Sequence, residues 1–340
     1  SISDIVTKQY EEIFNFDAAV TFDTDATVAE KADALQRLQD NAEVEEAIGI
    51  GQSAVTVSDD GEDSSVTVVV PSDLDDFADF TALCHRGDTE QLSLSDDGAL
   101  ITEKLAMNLG LSAGDTLTIT DGDGIEREVK IADVVENYVG HYLYMSPSYY
   151  RTVFEERQTD TAAYLKLSEA GLQDESALGQ QLMQDEFISS VSFYSGLADT
   201  FQDTISSLSF VVVVLVIAAG LLAFVVLYNL TNVNISERIR EIATIKVLGF
   251  YDPEVGSYVF RETIFLTIIG ALAGLVLGIG LHSLIMSLAE MESVMFGRNI
   301  DWISFVISFL ITMLFSFVVN LFMYRKLKKV QMVESLKSVE

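Results

Sequence analysis

Cysteine, histidine, proline and basic residues are all scarce in this chain, and each scarcity removes a class of explanation. The one cysteine, Cys84, excludes an internal disulfide. The three histidines, His85, His141 and His282, stand far apart, and no Ser, His, Asp spacing suggests a hydrolytic triad. Cys84-His85 is a ligand pair without the second pair that a zinc site needs. Nor is there a GxxxxGKS or GxxxxGKT stretch to cradle nucleotide phosphates. Together these absences point away from an enzyme, and neither a cofactor nor a metal site is read from the sequence.

What is present is sharply segregated. A positive mean hydropathy of +0.31 accompanies a net charge of −32, which is possible only if apolar and charged residues occupy different parts of the chain. Ser1 to Ser206 holds 42 acidic and 10 basic residues, whereas Ser207 to Glu340 holds 10 of each. The whole net charge lies in the first part. Such a surface is unsuited to nucleic acid or to an anionic membrane face; it would suit a basic partner, or simply be solvated.

The second part contains three long apolar runs, Leu208 to Tyr228, Ile264 to Leu284 and Trp302 to Tyr324. Each exceeds the ~18 residues needed to cross a hydrocarbon core as helix, so three transmembrane spans are expected, in contact with membrane lipid. Arg238, Arg240, Lys246 and Arg261 follow the first span, and Arg325, Lys326, Lys328, Lys329 and Lys337 follow the third. Both segments should be cytoplasmic, as should the C-terminus. Between the second and third spans, Arg298 faces Glu290, Glu292 and Asp301, so that loop and the acidic first part belong outside. The opening SISDIVTKQYEEIF lacks the features of a signal peptide, and a further span upstream in a longer chain is expected to export the acidic part.

The first part, residues 1–206, reads as α+β. NFDAAVTFD (15–23), ATVAEKADALQRLQDN (26–41) and AIGIGQSAVTVS (47–58) have the patterns of strand, helix and strand. The order returns as AAYLKL (162–167), LQDESALGQQLMQD (172–185) and FISSVSFY (187–194). Two βαβ units suggest a small split sheet with an inserted β-rich lobe at about 59–160. The lobe holds SSVTVVVP, a helix-like TEKLAMNLG, and a hairpin over 115–135 turning at Asp121 to Gly124. Asp121 and Asp123 begin like a calcium loop, but Ile125 and Glu126 fall where a ligand and a glycine belong. SDDGED (58–63) is a weak cation site or a solvated loop. After Tyr194 a helical period continues into the first span, predicting an outer domain standing on a stiff helix.

Directly behind that span comes NLTNVNISERIREIATIKVLGF. Ile235, Ile239, Ile242 and Ile245 form an apolar stripe at helical spacing, with Glu237, Arg238, Arg240, Glu241 and Lys246 on other faces. Ser236 is the expected N-cap, and Gly249 with Pro253 the stop. Such a helix docks into a partner's groove or lies along the surface as a linker, and spacing does not separate the two. Gly270, Gly274 and Gly278 share one face of the second span, where small residues let helices approach closely.

The run NLTNVNISERIREIATIKVLGFYDPEV, continued by YVFRETIFLTIIGALAGLVLGIGLH and a basic tail ending MVESLKSVE, resembles the FtsX-like permease domain of MacB-type ABC transporters, particularly large Gram-positive permeases. The resemblance covers Leu208 to Glu340, with GALITEKLAMNLGLSAGDTLTI and VVENYVGHYLYMSPSYY as further local similarity. It implies a multi-pass protein of a bacterial cell membrane, a cytoplasmic ATPase dimer as partner, and a second permease copy or half. Ser236, Glu237, Arg238, Arg240, Glu241, Lys246 and Gly249 would belong to the coupling helix that receives the ATPase stroke. The family's fourth span, which precedes the outer domain, is expected upstream. A regulator of a cell-wall hydrolase and an antimicrobial-peptide sensor are alternatives within the family, and a receptor or adhesion protein without an ATPase is one outside it.

Overall fold

The computed structural model describes residues 3–59, 62–289, 294–295, 300 and 302–328. Two units pack separately: Ser1–Ile205 with Glu290–Gly297, and Ser206–Ala289 with Arg298–Glu340.

The first unit opens with helix α1 (Ser3–Thr7) and a π-helical turn, Lys8–Ile13. Strand β1 (Ala18–Phe22), helix α2 (Val28–Gln39) and strand β2 (Val44–Asp59) come next. The pattern over 15–58 predicted all three because their chemistry is local. Thr27 accepts from the Glu30 amide while Glu30 reaches back to the Thr27 amide, a reciprocal cap that fixes where α2 starts. At the far end, β8 (Ala162–Leu167) leads through α6 (Glu169–Gln173) and α7 (Glu175–Leu182) to β9 (Ile188–Phe193). The single helix expected over 172–185 is thus two. Asp174 leaves the helical conformation (φ −140°, ψ 66°) and its side chain accepts from the Ala177 amide, so it caps α7. These strands lie in the order β2-β8-β1-β9, the split βαβ sheet. Ala18, Val20, Phe22 and Leu165 bury against Ala34 and Leu38 of α2 and Leu178 and Leu182 of α7.

The lobe between them is a closed barrel. It contains β3 (Glu62–Pro71), α3 (Leu74–Phe80), β4 (Ala99–Thr102), α4 (Glu103–Leu109), β5 (Thr116–Thr120), β6 (Glu126–Val135), β7 (Tyr142–Tyr144) and α5 (Pro147–Phe154). The ladder runs β3-β7-β4-β6-β5-β2, and β2 pairs with β3 to complete the ring. Strand β2 serves both parts: Val44 to Ile50 pairs with β8, and Ile50 to Asp59 with β3. Val55, Val57, Val66, Val68, Val70, Leu117, Ile119, Val129 and Ile131 alternate inward and fill the barrel. Closure removes the edges that so many short strands would otherwise expose.

The second unit is helical. Helix α8 spans Tyr194–Glu237, α9 Ile239–Val247, α10 Asp252–Ala289 and α11 Trp302–Lys328. Segments Phe210–Glu237, Pro253–Met286 and Trp302–Arg325 are long and apolar enough to cross a membrane. The segment 229–263 between the first two spans is almost wholly helix, made of the end of α8, α9 and the start of α10. Glu290, Glu292, Arg298, Asp301, Lys329, Lys337 and the MVESLKSVE tail, with Asp60 and Gly61 of the acidic turn, lie outside the described residues.

Candidate coupling surface

Helix α9 begins at a break. Arg238 (φ −96°, ψ 14°) interrupts the helix, without a side-chain cap, and its guanidinium pairs with Glu262 of α10 at 2.7 Å. Ser236 is not the cap expected of it. It lies inside α8, its hydroxyl donating to the Asn232 carbonyl at 2.8 Å. Glu262, at the entry to the second span, thus pairs across this junction while remaining partly exposed. Gly249 does end the helix, at φ +96°, where a side chain would be strained.

Three of the four isoleucines of the apolar stripe turn inward. Ile235 and Ile242 are buried, and Ile245 half-buried, among Val255 and Phe260 of α10 and Val319 and Met323 of α11. Ile239, the fourth member, is 36 % exposed, so three of the four isoleucines anchor this stretch to its own bundle. Lys246 is buried as well. The outward face carries Glu237, Arg240, Glu241 and Thr244, and runs into an apolar turn that sequence reasoning did not single out. In that turn Val247, Leu248, Phe250 and Tyr251 are 59, 72, 52 and 77 % exposed.

A cleft of about 750 Å³ opens among α8, α10 and α11. Gly270, Gly274 and Gly278 line it, and a Cβ added at any of them meets nothing within 4 Å. Among the described residues, no helix packs closely against these three glycines. A close approach is made at Gly220 of α8, where a Cβ would come within 2.5 Å of the Phe315 ring of α11. Thr231 and Asn234 also line the cleft, and the Thr231 hydroxyl and Asn234 Oδ1 are buried without a hydrogen-bond partner. Nearby Thr267 donates to the Thr263 carbonyl at 2.8 Å.

The acidic candidates of the first unit are structural. Asp121 accepts from the Asp123 and Ile125 amides and from Arg127 Nε at 2.8 Å, so its carboxylate is committed to the hairpin turn. The backbone bond from Ile125 and the Arg127 partner hold it below the usual carboxylate range. His85 faces not a metal set but Asp133, at 2.9 Å, and that hydrogen bond raises its pKa. Burial pushes the neighbouring Cys84 thiol up, away from reactivity.

Residues 201–332 match the FtsX-like permease C-terminal domain. The match takes in most of α8 and all of α9, α10 and α11. The permease domain so defined contains α9, its apolar turn and the glycine-lined cleft. Among solved structures, the chain is similar to the extracellular domain of the noncanonic ABC-type transporter YknZ from Gram-positive bacteria, at 12 % identity and TM-score 0.32 over 52 % of this chain and 98 % of that one. It is similar also to the periplasmic region of MacB from Actinobacillus actinomycetemcomitans, at 11 % identity and TM-score 0.32 over 59 and 97 %. A domain of a Porphyromonas gingivalis permease protein gives 18 % identity and TM-score 0.28 over 53 and 90 %. No curated protein matches the chain.

Proposed function

We propose that the chain is the permease subunit of a MacB/FtsX-type ABC transporter, converting ATP hydrolysis by a separate cytoplasmic ATPase dimer into movement of its extracellular first unit. The observation that carries this reading is the shape of α9: an isoleucine stripe fixed in the membrane bundle, with a charged face and a solvent-exposed apolar turn left over. A helix held on one side and exposed on the other transmits a push to whatever it is packed against. The match to the permease domain and the basic residues flanking the spans support a cytoplasmic position for α9.

Cargo would be a peptide, lipid or lipoprotein-like amphiphile extracted at the outer face. The spans contain no charged side chain at their centres to serve an ionic path through the bilayer. The test is co-purification from detergent-solubilised membranes. Wild type should retain an ATPase; Arg240→Ala with Glu241→Ala should weaken retention, and Leu248→Asp should reduce it at least tenfold. Equal retention by Leu248→Asp would show that the turn is not the contact, and no ATPase with any form would favour a receptor.

A further inference from the structure

Between α10 and α11 in the chain, Val294 and Met295 pack with the first unit. Val294 bridges antiparallel to Val139, and the Met295 amide donates to the Tyr138 carbonyl at 2.8 Å. The Met295 side chain is 5 % exposed, in a core with Leu83, Val135 and Tyr138. Arg86 closes over it. Its Nη2 lies 2.9 Å from the Met295 sulfur and its Cζ 5.4 Å from the Tyr138 ring centroid, while Nε donates to Glu103 at 2.8 Å.

The loop that receives Met295 is braced from the other side. Buried Gln9 donates to Asn137 Oδ1 at 3.0 Å, and its own oxygen accepts from the Tyr138 and Val139 amides at 2.8 and 3.0 Å. Asn137 donates to the Val139 and Gly140 carbonyls, and Glu136 accepts from both Tyr138 and Lys8. These bonds tie the loop to itself and to the Lys8–Ile13 turn.

We infer that Val294–Met295 is a strap through which α10 and α11 act on the first unit, separately from α8; the inference rests on the coupling reading above. The chain passes between the units at Ile205–Ser206, at Ala289–Glu290 and at Gly297–Arg298, so three covalent connections carry displacement. A free loop would absorb movement of the helix ends by backbone rotation. A loop pinned by a buried methionine, a backbone bond and a β-bridge passes it on to Tyr138 and the barrel instead.

The test uses the full chain with Cys84→Ser. Bridge partners place their Cβ atoms about 5 Å apart, so Val139→Cys with Val294→Cys should form a disulfide under mild oxidation. Met295→Asp should cut the yield at least tenfold. With the ATPase bound, the nucleotide-dependent change in hydrogen exchange over Glu136 to His141 should shrink at least threefold in Met295→Asp, and also in Arg86→Gln, which leaves the core intact. Absence of the disulfide overturns the strap, as does a Met295→Asp protein that responds to nucleotide like wild type. If wild type shows no nucleotide-dependent exchange anywhere, the coupling reading itself has failed and the strap falls with it.

Discussion

At the scale of single residues, neighbours decide roles that residue type alone leaves open. His85 reads as half of a ligand pair and is instead the partner of Asp133, which raises its pKa above the ordinary 6.5. Because the folded pKa is raised, the pair's contribution is full below about pH 6.5 and fades as pH climbs through the folded value. The ion pair is solvent-exposed, so the effect on stability is small. An NMR titration should find His85 titrating above 6.5, and Asp133→Asn should bring it back. Glycine shows the same dependence. Gly220→Val, against the Phe315 ring, should lower stability by ~1–3 kcal/mol through overpacking. Gly274→Ala, with open space around it, should leave thermal unfolding of the single chain unchanged or slightly raised. Nothing in the sequence ranks these two glycines, because what separates them is a ring 95 residues away in the chain.

At the scale of elements, legibility follows how local the causes are. Strand β8 and helix α2 are readable from period and caps; Thr27→Ala should destabilise the first unit by ~1 kcal/mol, seen as a lower thermal midpoint. The break at Asp174 shows the limit. Leu172 to Asp185 keeps a helical rhythm throughout, and only the Asp174 side chain on the Ala177 amide reveals two helices. Strands β4 and β7, with four and three residues, carry too little pattern to be found, because their pairings with β6 and β3 are what make them strands. The isoleucine stripe of α9 is legible as a stripe, but not the direction it faces. A stripe buried on the chain's own helices and one reserved for a partner have the same spacing. The candidate contact accordingly moves from the charged positions toward Val247 to Tyr251, a segment with no helical period to announce it.

At the scale of the whole molecule, the division seen in the sequence between an acidic first part and a neutral apolar second part corresponds to two separately packed units, with one exception. Val294 and Met295 pack with the first unit despite lying between two apolar helices in the chain. Long-range contacts of that kind leave no periodic trace. In the proposed function the chain is a transmission, with α9 as input and the first unit as output. Its most direct test is hydrogen exchange of the full chain in nanodiscs with its ATPase, comparing the nucleotide-free complex with an ATP-bound, hydrolysis-deficient one. Exchange should change in α9 and its turn and also within the first unit, and Leu248→Asp should abolish both changes. A response confined to α9, or a first unit indifferent to nucleotide, would contradict the transmission.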